Sequence, residues 1–418
     1  MATDRSPPAQ LIDAILRGRC VAFVGAGFSA MVMPNWATLL QELAQALGQE
    51  LEIRKDASGF ELEALGQALH DSASDERWEE AVRDVLERRW TSAPESARQQ
   101  LDERTRLLRC IPFKAILTTN FDPSLPGQPT TPEICAQVLR EERPWWFNAP
   151  AAHGEERPTT PIIKLHGHAN GNPASMPLVL SRSAYRKRLY DDHNYGNFLR
   201  AVFAGYTVLF LGVSFTDAYL NELRSEVLNV VRRPRDRHPW GYAVVYQPTA
   251  TFTHFLSAHE GIHALPIQTY DEFDAWLRAI AARTSLGGRL SSLLGGRHVV
   301  WVDASASSVE EGRALLTRSG ARIDHLATEA ELDEARHGTA QLLLTQFGFQ
   351  TGRAFAVLER VRGWKERPPV IVFAATGQPE QAARNREQCL RRGAWEYATE
   401  WGELYRAIEQ VLGRVPGC

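Results

Sequence analysis

Gly25, Ala26 and Gly27 follow the apolar run Cys20–Val24 and precede Phe28 and Ser29. A glycine at the first position permits a tight bend, and one at the second lets the backbone approach a phosphate closely. A following helix would aim free N–H groups at that phosphate, so the stretch reads as a nucleotide-binding turn. Ala30 completes Gly-x-Gly-x-x-Ala, a pattern short enough to arise by chance. Three further segments each run from apolar residues into polar ones. They are Ala115–Asp122 with Thr118, Asn120 and Asp122, Ile162–Gly167 with His166, and Leu209–Asp217 with Gly212, Ser214 and Asp217. Ligands of an open parallel sheet bind outside the carboxyl ends of its strands, so the polar tips would meet at one edge. An imidazole, whose ordinary pKa is near neutrality, suits a general base there. Taken singly, each segment also has a plainer reading. Thr119, Asn120 and Asp122 would form a turn, His166 would be a hydrogen-bonded histidine under the sheet, and Ser214 with Asp217 would cap a helix starting near Ala218.

Placing those tips together requires strands, and the chain offers them at Val21–Val24, Ala115–Thr118, Ile162–Leu165, Leu178–Leu180, Val208–Leu211, Ala243–Tyr246 and Ala264–Ile267. Helical patterns separate them, which predicts an α/β fold with a Rossmann-like, mainly parallel sheet. Residues 37–110 keep apolar positions such as Leu39, Leu43, Leu62, Leu65 and Leu69 at helical spacing, and read as a helical insertion. Residues 123–160 are rich in Pro, Gly and Thr and carry Trp145, Trp146 and Phe147, which suggests a long loop ordered by aromatics. The composition shifts at Thr284–Arg297, giving a first domain over residues 1–285, a linker over 286–297 and a second domain over 298–418. The second domain restarts the alternation with strands at His298–Val302, Gln341–Leu344 and Val370–Phe373 and helices at Ser308–Ser319, Ala354–Val361 and Leu404–Leu412, a smaller doubly wound α/β unit.

Bulk properties narrow the class. The 418 residues are 44% hydrophobic and 23% charged with a net charge of −3, a globular composition that argues against nucleic acid as a direct ligand. Arg232, Arg233, Arg235 and Arg237 form the densest basic cluster, read as a solvated loop. The five cysteines stand far apart, which signals neither a zinc module nor a disulfide framework. No signal core opens the chain and no apolar run is long enough for a bilayer, so a cytoplasmic protein without membrane partners is expected.

Together, Gly25-Ala-Gly-x-Ser29, Thr118-Thr-Asn-x-Asp122, Lys164-Leu-His-Gly167 and Gly212-x-Ser-x-x-Asp217 resemble the sirtuin superfamily over most of residues 10–280. The resemblance implies that Gly25, Ala26, Gly27 and Ser29 line an NAD+ pocket, with Thr118 beside them. It further implies that Asn120 and Asp122 surround the nicotinamide ribose, that His166 is the catalytic base, and that Gly212, Ser214 and Asp217 form a second nucleotide-contacting loop. Two departures matter. No cysteine lies between Cys135 and Cys389, so the four-cysteine zinc module of the protein-deacylating members is missing and no zinc is expected. The segment after the glycine turn reads Pro34-Asn35-Trp36-Ala37, where those enzymes have Pro-Asp-Phe-Arg. Both features, with Ser181–Tyr190, resemble the bacterial sirtuin-like effectors of antiphage defence, which consume NAD+.

That likeness implies an NAD+ glycohydrolase in which water replaces the acylated lysine, Asn120 positions water or ribose hydroxyls, and Asp122 orients the ribose or favours the developing positive charge. A zinc-free deacylase or ADP-ribosyltransferase, and a noncatalytic NAD+ or ADP-ribose sensor, are the alternatives. Residues 298–418 resemble a response-regulator receiver domain at Pro368–Phe373 and Arg391–Tyr397. Asp303 keeps one acid, but Thr345 stands at the phosphoacceptor position and Glu400 where a lysine is expected, which implies a pseudo-receiver. Such a domain would serve homo-oligomer formation or sensing of a phage or partner trigger protein.

Overall fold

The computed structural model describes residues 6–54, 57–121, 123–147, 159–169, 178–215, 218–230, 239–304, 310–348, 352–374 and 379–413. Asp122, Asp217 and the arginine cluster at 232–237 lie outside the described residues. The chain divides into two compact units, Met1–Pro144 with Thr160–Ile280, and Trp145–Thr159 with Ala281–Cys418.

The first unit opens with α1 (Ala9–Leu16) and β1 (Cys20–Val24), followed by α2 (Trp36–Ala46), α3 (Gly59–Asp71), α4 (Asp75–Ser92) and α5 (Glu95–Cys110). These last four helices lie in the stretch 37–110 that the apolar spacing marked as helical, with α2 beginning one residue earlier. Then come β2 (Ile116–Thr118), α6 (Pro132–Arg140), β3 (Ile162–Lys164), α7 (Arg182–Arg186), α8 (His193–Gly205), β4 (Thr207–Leu211), α9 (Ala218–Val230), β5 (Gly241–Tyr246), α10 (Ala250–Ala258), β6 (Ile262–Ile267) and α11 (Tyr270–Thr284). All six strands pair in parallel in the order β3-β2-β1-β4-β5-β6, the doubly wound order in which the chain reverses direction between β1 and β4. β1, β2 and β3 are buried at every position, because helices cover both faces. Val21, Phe23, Leu117, Ile163 and Phe210 form one face of that core with Phe198, Leu199 and Val202 of α8.

Three sequence expectations change here. Leu178–Leu180 is not a strand; among the described residues it shows one backbone hydrogen bond toward the sheet, from Val179 N to His166 O just past β3 at 2.9 Å, and no ladder. The stretch 123–160, read as loop, contains α6, because Thr131 caps the helix and Pro132 occupies its first turn, where a missing N–H costs nothing. The glycine turn is not followed directly by an α-helix. It forms a three-residue 3₁₀ turn, Ala26–Phe28, and α2 starts only at Trp36 under an Asn35 cap that accepts from Thr38 N at 2.9 Å.

The second unit contains α12 (Leu286–Leu294), β7 (His298–Val302), α13 (Glu310–Arg318), β8 (Arg322–Leu326), α14 (Glu334–His337), β9 (Leu342–Gln346), α15 (Arg353–Arg362), β10 (Val370–Phe373), α16 (Pro379–Arg391), β11 (Glu396–Ala398) and α17 (Trp401–Leu412). The 286–297 stretch is therefore largely helical, because Ser285 accepts from Gly288 N and Leu290, Leu293 and Leu294 are buried. The five strands are parallel in the order β8-β7-β9-β10-β11, which is the 2-1-3-4-5 doubly wound order. Trp145 packs in this unit, 1% exposed, with its indole N–H donating to Glu409 Oε2 of α17 at 2.7 Å. Arg289 of α12 holds the other carboxylate oxygen of Glu409.

Candidate active site

Strand register brings the motifs to one edge. Val24 pairs with Thr118 and Leu211, and Thr118 pairs with Lys164, so Gly25, Asn120, His166 and Gly212 each stand one or two residues beyond the same row of the sheet. That edge opens into a cavity of about 1000 Å³ lying over the β1/β4 reversal. Gly25, Ala26, Gly27, Ser29, Asn120, His166, Gly212 and Ser214 all line it.

The glycines do something other than the sequence suggested. Gly25 N donates to Leu211 O at 3.0 Å and Gly27 N to Gly212 O at 2.9 Å, so these two donors face β4 and its loop rather than a phosphate. A Cβ at Gly25 would sit 2.7 Å from Gly212 O, and one at Gly27 would sit 2.9 Å from Gly212 Cα. Gly212 itself has φ +66°, and its Cβ would fall 2.3 Å from Phe28 N. The three glycines thus let two loops from adjacent strands pack backbone against backbone. Arg104 of α5 braces the same turn. It is fully buried, donates to Phe28 O and to Asp274 Oδ1 of α11 at 2.6 Å each, and lies over the Phe273 ring.

Asn120, 6% exposed, is fixed from three sides. Its backbone N–H donates to Thr118 Oγ1 at 3.0 Å, its carbonyl accepts from Lys164 Nζ at 2.7 Å, and its Nδ2 donates to Gly25 O at 3.1 Å and Ser29 Oγ at 3.4 Å. Because Gly25 O can only accept, the amide nitrogen must face the turn. Thr118 is buried in β2, donates to Val24 O at 3.0 Å and stands behind Asn120 rather than in the cavity wall, where Thr119 takes its place. Lys164, in the Lys-Leu-His-Gly motif, braces the Asn120 carbonyl from β3.

His166 is 3% exposed and follows β3, with Gly167 at φ +86° turning the chain away. Its Nδ1 lies 3.3 Å from the Tyr185 hydroxyl. Tyr185, on α7, also lines the cavity, and reading strand tips alone missed it. So were the residues after β5, Gln247, Pro248 and Thr249, which line the cavity beyond Gly212. The strand-tip rule applied to Ala243–Tyr246 would have found these. Phe215 and Gln247, the only described non-glycine residues with positive φ, at 59° and 42°, both line the cavity. Backbone conformations of this kind cluster at functional sites.

Among the described residues no group of three or more His, Cys, Asp or Glu is placed to hold a metal ion, and no helix is long and apolar enough to cross a membrane. The SIR2-like domain family matches residues 114–265. Proteins named NAD(+) hydrolase ThsA are similar to this chain. The one from Enterococcus faecium is 26% identical over 240 residues, covering 54% of this chain and 43% of that protein. The one from Cytobacillus dafuensis is 26% identical over 229 residues, covering 54% and 42%, and the one from Bacillus cereus is 25% identical over 231 residues, covering 54% and 43%. The chain spans less than half the length of these relatives. The stretch that is similar to the SIR2-like domain family supplies β2 to β5 of the parallel sheet, together with Asn120, His166 and Gly212 at its edge.

Proposed function

We propose that this protein is an NAD+ hydrolase that releases nicotinamide and ADP-ribose. The observation that carries the reading is the convergence of Asn120 and His166, from adjacent strand tips, on one cavity at the sheet's reversal point. The relatives named NAD(+) hydrolase support it. In the reaction the nicotinamide–ribose C–N bond breaks with its electron pair leaving on nicotinamide, and an oxocarbenium-like centre develops at the ribose. Water forms the new C–O bond, and His166 takes the water's proton and returns it to solvent. Asn120 presents an amide oxygen that accepts from none of the described residues, an acceptor for the water or a ribose hydroxyl. The fixed amide costs no reorganisation when charge develops. Asp122 and Asp217 belong to the same proposal. Residues 1–285 would form the catalytic domain and 298–418 a pseudo-receiver that mediates self-assembly or senses a trigger. Depletion of NAD+ in an infected cell would then be the biological output, an antiphage role acting in the cytoplasm.

The test is incubation of the purified protein with NAD+ and no acylated or acceptor protein, following nicotinamide and ADP-ribose. Release by the wild type, lost in Asn120→Ala and His166→Ala, is the expected result. Release that survives both substitutions would sink the site assignment, and release that requires an acylated protein would make the enzyme a deacylase.

A further inference from the structure

We propose that Tyr185 is a positioning residue for His166, and that the helical insertion acts on the catalytic edge through it. The inference rests on His166 being the general base. The Tyr185 hydroxyl lies 3.3 Å from His166 Nδ1, and the two rings meet edge to face, with centroids 4.9 Å apart at 77°. A neutral imidazole carries one proton. For Nε2 to take a proton from water, that hydrogen must sit on Nδ1, and the tyrosine oxygen is then its acceptor. The same oxygen faces the imidazolium once the proton is taken, which favours the charged form and raises the basicity of Nε2.

Tyr185 is itself held by the insertion. α7 begins under a Ser181 cap that accepts from Ala184 N at 3.2 Å. Ser183 N donates to Gln67 Oε1 of α3 at 2.8 Å, and the Arg182 guanidinium lies over the Phe60 ring at 5.0 Å. Gly66 of α3 lets the Leu180 carbonyl approach to 3.3 Å from where a Cβ would stand. A five-residue π-helical turn, Lys187–Asp191, follows α7 directly, a geometry that concentrates at functional sites. The chain of support therefore runs from α3 to α7, to Tyr185, to the imidazole.

The experiment titrates histidine Cε1 by NMR in the full chain, wild type and Tyr185→Phe, with His166→Gln identifying the His166 signal; it requires no turnover. Phenylalanine keeps the ring contact and removes only the hydroxyl. The expected result is that His166 titrates at lower pH in Tyr185→Phe while the other histidines stay in place. In NAD+ turnover, kcat falls about five- to tenfold, the net worth of one neutral hydrogen bond, with KM unchanged and the acid limb moved to lower pH. An unchanged His166 titration with unchanged kcat and melting temperature overturns the proposal. Loss of turnover in His166→Gln beside an unaffected Tyr185→Phe sinks only the role of Tyr185, whereas turnover that survives His166→Gln removes the base assignment itself.

Discussion

Arg104 offers the sharpest test of how the glycine turn is held. Its guanidinium is fully buried, donates to Asp274 and to Phe28 O at 2.6 Å each, and lies 4.6 Å from the centre of the Phe273 ring. Arg104→Met keeps most of the volume but leaves Asp274, 6% exposed, with Gln100 Nε2 at 2.7 Å as its remaining described partner. Removing one partner of a buried ion pair costs about 3–5 kcal/mol. With a urea dependence of about 3 kcal/mol per M for a unit of this size, the unfolding midpoint of the first unit should fall by roughly 1–1.7 M. The pair is not ideally satisfied, since Arg104 Nη2 has no hydrogen-bond partner among the described residues. Arg104→Met with Asp274→Leu should therefore recover all but about 1 kcal/mol of the loss. NAD+ binding should stay weakened in the double variant, because Phe28 O, at the end of the turn that carries Gly25 and Gly27, has lost that donor. Urea unfolding and NAD+ titration of the two variants check this. A midpoint shift below about 0.3 M in Arg104→Met, or a double variant no more stable than the single, would refute the reasoning.

Three further outcomes are expected. Gly212→Ala places a side chain at φ +66° and 2.3 Å from Phe28 N, so it should lose about 1–2 kcal/mol from the left-handed backbone alone and bind NAD+ poorly. Gly205→Ala, with nothing within 4 Å, should melt like the wild type, and equal melting of both variants in a thermal scan would contradict the packing argument. Burial pushes the thiol pKa of Cys20 far up, that of Cys135 to about 11 and that of Cys389 to about 12, so iodoacetamide at neutral pH should label Cys110 before these three, as read by mass spectrometry. Equal labelling rates at Cys110 and Cys389 would overturn that order. Burial lowers the pKa of His337, with Arg336 and His298 adding to the effect against Asp324 and Asp333, and Asp333 N donates to its Nδ1 at 3.0 Å. The unfolded chain binds this proton near pH 6.5 while the folded chain does not, so the stability His337 contributes is present above that pH and lost as pH falls below it. His337→Gln should flatten the stability profile of the second unit between about pH 7 and 5, measured by urea unfolding, and parallel profiles would exclude the histidine.

The strands were legible because a parallel sheet buried on both faces demands unbroken apolar runs. Cys20–Val24, Thr207–Leu211 and Val370–Phe373 announce themselves, and the polar ends of the first two point to one edge of the parallel sheet they share. α6 was missed because Thr131 and Pro132, a helix start signal, sit among residues that also punctuate loops. Leu178–Leu180 has strand composition, but among the described residues its one backbone bond toward the sheet goes to His166, past the end of β3, and composition cannot supply a strand neighbour. The site divides the same way. The placement of Asn120 and His166 at one edge was readable because each stands two residues past its own strand. The part of Gly212 was not, because its need for glycine comes from Phe28 N, a residue on another loop. Tyr185 was not, because only the folded chain brings it to His166. A sequence that retains the four motifs can therefore still lose the site at Gly212 or Tyr185, and substitutions there distinguish a preserved pattern from a preserved geometry.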